Sequence, residues 1–129
     1  MQRKTKQREA IQQVFSECNR PLRAEEVHLY AHKKVASLGI ATVYRNLRKL
    51  VENGELEEIS IPEVGTLYER SGKGHRHYFY CRICNKLMDL SGCPVKGRRL
   101  APQGYKVERH EVFLYGVCEP CANSGKLTG

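Results

Sequence analysis

Cysteine carries the clearest chemical signal in this 129-residue sequence, which contains six of them. Four form two Cys-x-x-Cys pairs, Cys81/Cys84 and Cys118/Cys121, with 33 residues between the pairs. A tight turn at each pair presents two sulfur atoms to one ion, and two such pairs complete a closed, tetrahedral zinc site. Because a closed site offers no coordination position to a substrate, the spacing predicts structural zinc and not catalytic zinc.

The alternative interpretation of a Cys-x-x-Cys pair is a redox centre, but neither pair has the strand–helix setting of thioredoxin. Cys18 falls on an apolar helical face and is expected to be a core residue, while the role of Cys93 stays open. No apolar run approaches the ~20 residues of a membrane span, and the basic start lacks the apolar core of a secretory signal. We therefore expect a cytoplasmic protein, in which thiols stay reduced and paired cysteines bind metal.

Two histidines, His75 and His77, precede the first cysteine pair in the segment HRHYFYCRIC. If this segment is a β-strand, they share one face and lie about 6.6 Å apart, within reach of one ion. A one-residue β-bulge would instead turn both histidines to the opposite face, and the remaining alternative is a polar surface. The residues alone leave open whether these histidines belong to the same metal site as the cysteines, form a second site or lie in a buried aromatic strand.

The elements that precede these residues have the pattern of a DNA-binding domain. Apolar residues at helical spacing predict three helices, each followed by a proline or glycine break, over residues 6–18, 24–35 and 40–53. LEEISI and TLYER then alternate apolar and polar residues around PEVG, which indicates a hairpin. Three helices and a hairpin predict a winged helix over residues 1–70, with 71–74 as the linker.

The positive charge lies mainly in that predicted domain. The net charge is +8; residues 1–53 carry 11 basic and 5 acidic side chains, whereas residues 54–129 carry 11 and 9. A basic helix-turn-helix suits a polyanion, with base-edge and phosphate contacts from the outward face of its third helix. The alternative is that Tyr44 packs internally and the arginines are merely solvated. The predicted contact residues are Thr42, Tyr44, Arg45, Arg48 and Lys49.

ATVYRNLRKL (41–50), the hairpin, HRHYFYCRIC and HEVFLYGVCEPC (110–121) resemble, in this order, the ferric uptake regulator family of bacterial metal-dependent repressors. The resemblance implies a homodimer, structural zinc on the four cysteines and a regulatory metal that fixes two DNA-binding domains for an operator. The predicted fold class is α+β, with an N-terminal winged helix-turn-helix followed by a small α/β dimerisation domain over residues 75–129. No enzymatic activity is implied.

The family has two regulatory metal positions, which differ in their count back from the first paired cysteine. The hinge position uses histidines three and five residues before it, where this chain has Tyr78 and Arg76. The position inside the dimerisation domain uses residues four and six before it, which here are His77 and His75. We therefore expect the regulatory metal at the inner position.

The remaining ligands of the inner site follow from the same resemblance. Its third histidine, eight residues before the second cysteine pair, is present as His110. The acid that the family uses as fourth ligand falls near Lys96 and is missing. Cys93 and Glu111 are the candidate replacements.

The hinge position keeps two carboxylates, Glu69 and Asp89, but Arg20 stands near the place of its N-terminal histidine. We hypothesise that Arg20 or Arg76 pairs with these acids, so that sensing moves to the inner site. The competing hypothesis is the bulge, which returns both histidines to the hinge together with Glu69 and Asp89.

These features predict a transcriptional repressor of metal uptake and homeostasis genes, with the metal as co-repressor. Histidine ligation favours zinc, and with it the zinc uptake regulators, while iron(II) and manganese(II) are compatible. Its partner is predicted to be a palindromic, A/T-rich double-stranded operator. The alternative function is a zinc-ribbon nucleic-acid adaptor without metal sensing. A zinc deaminase is excluded, because its His-x-Glu signature is missing.

Overall fold

Four helices and five strands lie in the part of the chain that a computed structural model describes, residues 2–74, 76–90, 92–95 and 100–124. The chain divides into two compact units, Met1–Gly74 and His75–Gly129. Each unit has its own sheet, two-stranded in the first and three-stranded in the second. In the described residues, no helix combines the length and the apolar composition that crossing a bilayer requires.

The first unit has the element order of a winged helix. Its elements are α1 (Gln2–Cys18), α2 (Ala24–Lys34), α3 (Ile40–Glu52), β1 (Leu56–Ile61) and β2 (Gly65–Arg70). All three predicted helices and the hairpin are therefore present. Helix α1 begins four residues before the predicted start, because its first turns carry polar side chains that give no apolar periodicity.

One apolar stripe from each helix forms the core of this unit. In α3 the stripe consists of Val43, Leu47 and Leu50, so the charged residues of the same helix face outward. The turn between α1 and α2 is tied to the hairpin, because Leu22 and Tyr68 exchange two backbone hydrogen bonds of 2.8 Å. The three helices and the hairpin thus pack as one body.

Glu26 lies at the start of α2, and Gly54 follows the end of α3. Glu26 accepts a hydrogen bond from the Arg23 backbone N–H, 3.3 Å, at the start of α2 and forms an ion pair with Arg20 at 2.9 Å. Gly54, with φ +80°, follows the end of α3 in the left-handed conformation that favours glycine. The Asn53-Gly54 stop predicted from the sequence is therefore where α3 ends.

The second unit is built on a three-stranded sheet. Its elements are β3 (Tyr78–Cys81), β4 (Leu87–Asp89), β5 (Phe113–Gly116) and a short helix α4 (Glu119–Asn123). Strand β3 pairs antiparallel with β4 and parallel with β5. A side chain at Gly116 would place its Cβ 3.2 Å from the Phe79 ring, so glycine allows β5 to lie close to β3. The mixed helix and strand content agrees with the predicted fold class.

The histidine segment differs from the predicted strand. Strand β3 begins at Tyr78, one residue after His77, and its first partner on β5 is Phe113. At the preceding position the Val112 N–H donates to Nδ1 of His77, 3.0 Å, instead of to a backbone carbonyl. The imidazole thus takes the place of a backbone acceptor on the β5 side, while on the β4 side the Leu90 N–H still donates to the His77 carbonyl, 2.8 Å. His75 lies outside the described residues.

Candidate metal centres and nucleic-acid surface

The four paired cysteines converge at one end of the second unit's sheet. Cys81 ends β3 and is paired in register with Gly116 of β5, which brings the turn holding Cys84 next to the start of α4. Cys118 caps that helix and Cys121 lies within it. The parallel strand pairing therefore assembles two local cysteine pairs into one group.

The geometry of this group fits zinc. The four Sγ atoms lie within 4.8 Å of one another, and Cys84 Sγ is 3.8 Å from Cys118 Sγ. Zinc–sulfur bonds of about 2.3 Å in a tetrahedron give sulfur–sulfur separations of about 3.8 Å. The observed distance matches that value, so the residues present can hold one zinc ion.

The electrostatics of the four thiols also favour a cation. Burial raises the pKa of Cys81, but backbone N–H groups, including those of Cys118 and Cys84, donate to its sulfur and lower the pKa to about 6. Burial and hydrogen bonds from the neighbouring sulfurs raise the pKa of Cys121 to about 12. One thiolate thus forms readily and opposes ionisation of its neighbours, an opposition that a divalent cation removes.

A second group of potential ligands lies apart from the four cysteines in the same unit. It consists of His77, Cys93 and His110, which we call the histidine–cysteine cluster. The two Nε2 atoms are 3.1 Å apart, and Cys93 Sγ lies 3.4 Å from that of His77 and 3.2 Å from that of His110. The imidazole rings stack with their centroids 4.8 Å apart.

These distances also suit one metal ion. Bonds of about 2.0–2.1 Å to nitrogen and 2.3 Å to sulfur give tetrahedral edges of roughly 3.3 to 3.6 Å. The cluster is slightly tighter than this, and His77 is only 1% exposed. The described residues supply three ligands to this cluster, whereas the four-cysteine group has four.

The segments that supply the cluster are irregular. His77 precedes β3, Cys93 lies in the connection after β4, and His110 lies shortly before β5. Cys93 was one of two candidates for the fourth ligand, and its sulfur lies beside both histidines. Glu111, the other candidate, is exposed and does not join the cluster in the described residues. The position near Lys96 lies outside the described residues.

The two hinge carboxylates have other partners. Asp89 forms an ion pair with Arg76 at 2.5 Å. This is one of the pairs that the hypothesis of an arginine beside the hinge acids allows. Arg20 instead pairs with Glu26. Glu69 is 2% exposed in the first unit, with Lys73 Nζ 3.9 Å from its carboxylate. Neither carboxylate belongs to a group of metal ligands in the described part of the chain.

The predicted DNA-contact residues lie on α3 outside its buried stripe. Tyr44 is 43% exposed, so it does not pack internally, and its hydroxyl donates to Glu25 of α2 at 2.8 Å. This hydrogen bond is the main cause that raises the pKa of Tyr44. The Arg45 guanidinium donates to Thr42 Oγ1 at 2.9 Å.

Glu25 is a residue that the sequence patterns did not assign to this surface. Its position in the first turn of α2 suggests only a favourable interaction with the helix dipole. The contact with Tyr44 spans two helices, so no periodicity within one helix indicates it. Glu25 fixes the tyrosine hydroxyl and places a negative charge beside the basic residues of α3.

Comparison with known proteins gives a consistent result. The model of the ferric uptake regulator family matches residues 2–115 of the chain. The ferric uptake regulation protein of Campylobacter jejuni is 32% identical over 125 residues, covering 92% of this chain and 79% of that protein. The peroxide operon regulator of Bacillus subtilis is 28% identical over 121 residues, covering 92% and 83%.

The solved structures agree on the fold. A zinc-bound manganese uptake regulator superposes with a TM-score of 0.79 at 22% identity, covering 87% of each chain. At this identity the similarity supports the fold, a winged helix followed by a dimerisation domain, and no more.

Proposed function

This chain belongs to the ferric uptake regulator family, and from that premise we propose that it is a repressor that senses a divalent metal at the histidine–cysteine cluster. Regulators of the family respond to metals or peroxide, bind DNA and work as dimers. They are transcription regulators and not enzymes, so the prediction of a non-enzymatic protein is confirmed. The sensed metal, the site and the sign of regulation are our proposal.

One observation carries the proposal: His77, Cys93 and His110 direct three ligand atoms to one point in addition to a complete four-cysteine group. A metal that only stabilises the second unit needs no more than the four cysteines. A second group, whose ligands are of mixed type and come from separate segments, suits an ion that is gained and lost as its concentration changes. His75, two residues before His77, is our candidate for a fourth ligand.

Ligand chemistry favours zinc at this cluster. Imidazole nitrogen and thiolate sulfur are ligands that zinc binds well, whereas manganese prefers carboxylate and water oxygens. Iron(II) remains compatible with two histidines and a cysteine. The proposed cofactors are therefore one structural zinc on the four cysteines and one regulatory divalent metal, with zinc favoured over iron or manganese.

The residues around His77 suggest how the metal changes the protein. Because the Val112 N–H donates to Nδ1, the proton of a neutral His77 ring lies on Nε2, toward the cluster. Nε2 could act as a ligand only without that proton, and a proton on Nδ1 would conflict with the Val112 N–H. His77 would therefore link occupancy of the cluster to the backbone just before β5. A bound ion would also join three segments of the second unit through His77, Cys93 and His110.

The Arg76–Asp89 ion pair supports sensing away from the hinge carboxylates. A guanidinium at 2.5 Å already neutralises the Asp89 carboxylate, and its positive charge opposes a cation at the same place. A metal there would first have to separate this pair. Binding at the histidine–cysteine cluster requires no such separation.

We propose that the repressor acts in the cytoplasm as a homodimer on a palindromic, A/T-rich operator. Helix α3 supplies the base-reading surface, with Thr42, Tyr44 and Arg45 at its N-terminal end. Leu114 and Tyr115 of β5 are 44% and 51% exposed on a strand at the end of the described sheet. This apolar edge supports dimerisation through the second unit.

Metal-buffered DNA binding tests the proposal. Zinc-loaded protein first selects duplexes from a randomised pool, and the selected duplex is titrated in zinc, iron(II) and manganese(II) buffers after the four-cysteine group is filled. We expect the DNA affinity of the wild type to rise with free zinc. His77→Ala should abolish that response, whereas Asp89→Ala, the matched control, should keep it.

The reverse pattern would move sensing to the hinge carboxylates. DNA binding by the wild type that ignores added metal would favour the adaptor function instead.

A further inference from the structure

We propose that His28 and His32 of α2, together with the backbone carbonyl oxygen of Leu38, form a further site for a divalent transition-metal ion. The two histidines are four residues apart on one helix and therefore lie on the same face. The proposed sensor belongs to the second unit, whereas this site belongs to the first, so the inference goes beyond the proposed function and does not depend on it. The ligand is an ion that prefers imidazole nitrogen, for which nickel(II) serves as the probe.

Three potential ligand atoms lie close together at this place. His28 Nε2 is 3.0 Å from the Leu38 carbonyl oxygen, and His32 Nδ1 is 3.4 Å from the same oxygen. The ring centroids are 5.5 Å apart and the ring planes are tilted by 49°. Metal bonds of about 2.1 Å give ligand separations of about 3.0 Å at right angles and about 3.4 Å in a tetrahedron. Both distances to the oxygen therefore fit a single ion.

The fold holds the Leu38 carbonyl in a defined position. The Leu38 side chain is 1% exposed and belongs to the core of the first unit. Its backbone N–H donates to the Val35 carbonyl at 3.0 Å in the turn that follows α2. Because the side chain and the N–H are both fixed, the oxygen needs no ordering before it can bind an ion, which lowers the cost of binding.

The two imidazoles are accessible to an ion from solvent. His28 is half-buried and His32 is exposed. The distance of 3.4 Å from His32 Nδ1 to the oxygen is long for an N–H···O hydrogen bond, so the carbonyl holds this ring only weakly. A neutral imidazole carries its proton on either nitrogen, and each ring can therefore present an unprotonated nitrogen to a cation. The alternative is that both rings only donate hydrogen bonds to the carbonyl.

The charges around the pair also favour a cation. The last turn of a helix carries a partial negative charge, and His32 lies in the last turn of α2. The two lysines that follow it have other partners. Lys33 Nζ lies 5.8 Å from the centre of the Tyr30 ring, and Lys34 Nζ forms an ion pair with Glu17 at 3.0 Å.

A bound ion would join α2 to the turn that leads into α3. Leu38 directly precedes Gly39, the N-cap residue of α3, whose carbonyl accepts a hydrogen bond from the Val43 N–H at 3.1 Å. Coordination would therefore cross-link the first two elements of the helix-turn-helix, α2 and the turn. An ion that binds the folded state and not the unfolded chain stabilises the fold, so nickel should raise the unfolding temperature.

Nickel(II) binding to the full chain tests the site. The four-cysteine group and the histidine–cysteine cluster are first filled with zinc, and bound nickel and retained zinc are then counted after equilibrium dialysis. We expect one nickel ion per chain in addition to the zinc. Because nickel(II) is paramagnetic, the NMR signals of the Leu38 and Gly39 backbone should broaden together with those of the two histidine side chains.

Substitution of each histidine removes one ligand at a time. His28→Gln and His32→Gln keep a side-chain amide that can donate to the Leu38 carbonyl, so the turn should survive. Each should weaken nickel binding by about tenfold or more, the smallest loss that changes at outer-shell partners of metal sites cause. Lys33→Gln is the control on the same helix. It removes a positive charge and keeps both imidazoles, so it should bind nickel at least as tightly as the wild type. Circular dichroism verifies that all three variants fold.

Unchanged nickel binding in both histidine variants would overturn this proposal, as would NMR broadening confined to the second unit. An equal loss in Lys33→Gln would also overturn it, because the effect would then not depend on the imidazoles. Failure here and failure of the proposed function are distinguishable. A wild type that takes up no nickel beyond its zinc, yet binds DNA in response to zinc, loses only this site. A wild type that binds nickel at the pair but never binds DNA loses only the proposed function.

Discussion

The second unit contains two groups of metal ligands that differ in composition and in origin. The four-cysteine group takes its ligands from two local Cys-x-x-Cys turns and supplies four identical sulfurs. The histidine–cysteine cluster takes single residues from three separate segments, and its ligands are two imidazoles and one thiol. The first group supplies four ligands, whereas the second supplies three from the part of the chain that the structure describes.

The contrast between the two groups suits a small domain in which one ion is permanent and a second is exchanged, as we propose. Four thiolates around a cation in a closed site give high affinity, and the ion becomes part of the folded state. Two neutral imidazoles and one thiolate attract a cation less strongly. Their separate segments also allow the ligands to move apart. We infer that composition and connectivity, more than burial, separate a structural site from a responsive one.

The largest expected effect comes from breaking the four-cysteine group. Cys118→Ser should remove the structural zinc and unfold the second unit, because such ions contribute about 10–16 kcal/mol of apparent binding free energy in zinc-finger peptides at neutral pH. Zinc content and thermal unfolding measure the result. Cys93→Ser is the matched control and should retain this zinc. A Cys118→Ser protein with full zinc content and wild-type unfolding would contradict the structural role.

Removal of the single thiol from the histidine–cysteine cluster should have a smaller effect. Cys93→Ser should weaken binding of the second metal by at least about 10- to 100-fold, the decrease that changes at outer-shell partners of metal sites already cause. Titration against a chromophoric chelator measures the affinity. With cobalt(II) at the second site, the thiolate charge-transfer band should disappear in the variant. If the band persists, the sulfur does not bind the metal there.

Lowering the pH should weaken metal binding at the two groups to different degrees. We expect this difference to be smaller than the effects of the two substitutions. At neutral pH zinc must displace the proton of Cys121, whose pKa is about 12. Below about pH 6 it must displace the proton of Cys81 as well, because the pKa of that thiol is about 6. Apparent zinc affinity therefore falls as the pH is lowered, by about tenfold per pH unit for each proton displaced.

The histidine–cysteine cluster has one thiol and should show the shallower dependence. Competition titrations on each group separately, between about pH 5.5 and 8, would measure the slope of log metal affinity against pH. This range is roughly the one in which imidazoles titrate. Equal slopes would contradict the assignment of one thiolate to one site and four to the other.

The features that could be predicted from the sequence are those that depend on residues close together in the chain. Two Cys-x-x-Cys pairs present their sulfurs through short turns, so their spacing was sufficient to indicate a shared ion. The buried stripe of α3 repeats at helical spacing, and its end at Asn53-Gly54 follows from backbone preference. Fold class, helix order and hairpin were predictable for the same reason.

Interactions between distant segments were less accessible from the sequence. Cys93 and Glu111 were equal candidates, because the connection between β4 and β5 has no periodicity that fixes which side chain faces the histidines. The pairing of Tyr44 with Glu25 depends on how two helices cross. The β-rich composition of HRHYFYCRI predicts a strand through His77, but β3 begins at Tyr78 and the His77 ring accepts the Val112 N–H hydrogen bond.

The parallel pairing of β3 with β5 requires the chain to return along the sheet between them. His77 directly precedes β3, whereas Cys93 and His110 lie in the middle and near the end of that return, and the three are separated by 16 and 17 residues. An ion held by all three closes two loops, and each closure costs chain entropy that depends on loop length and stiffness. If the proposed sensing at this cluster is correct, the stiffness of this connection would contribute to the metal concentration at which the protein responds, through positions that never touch the ion.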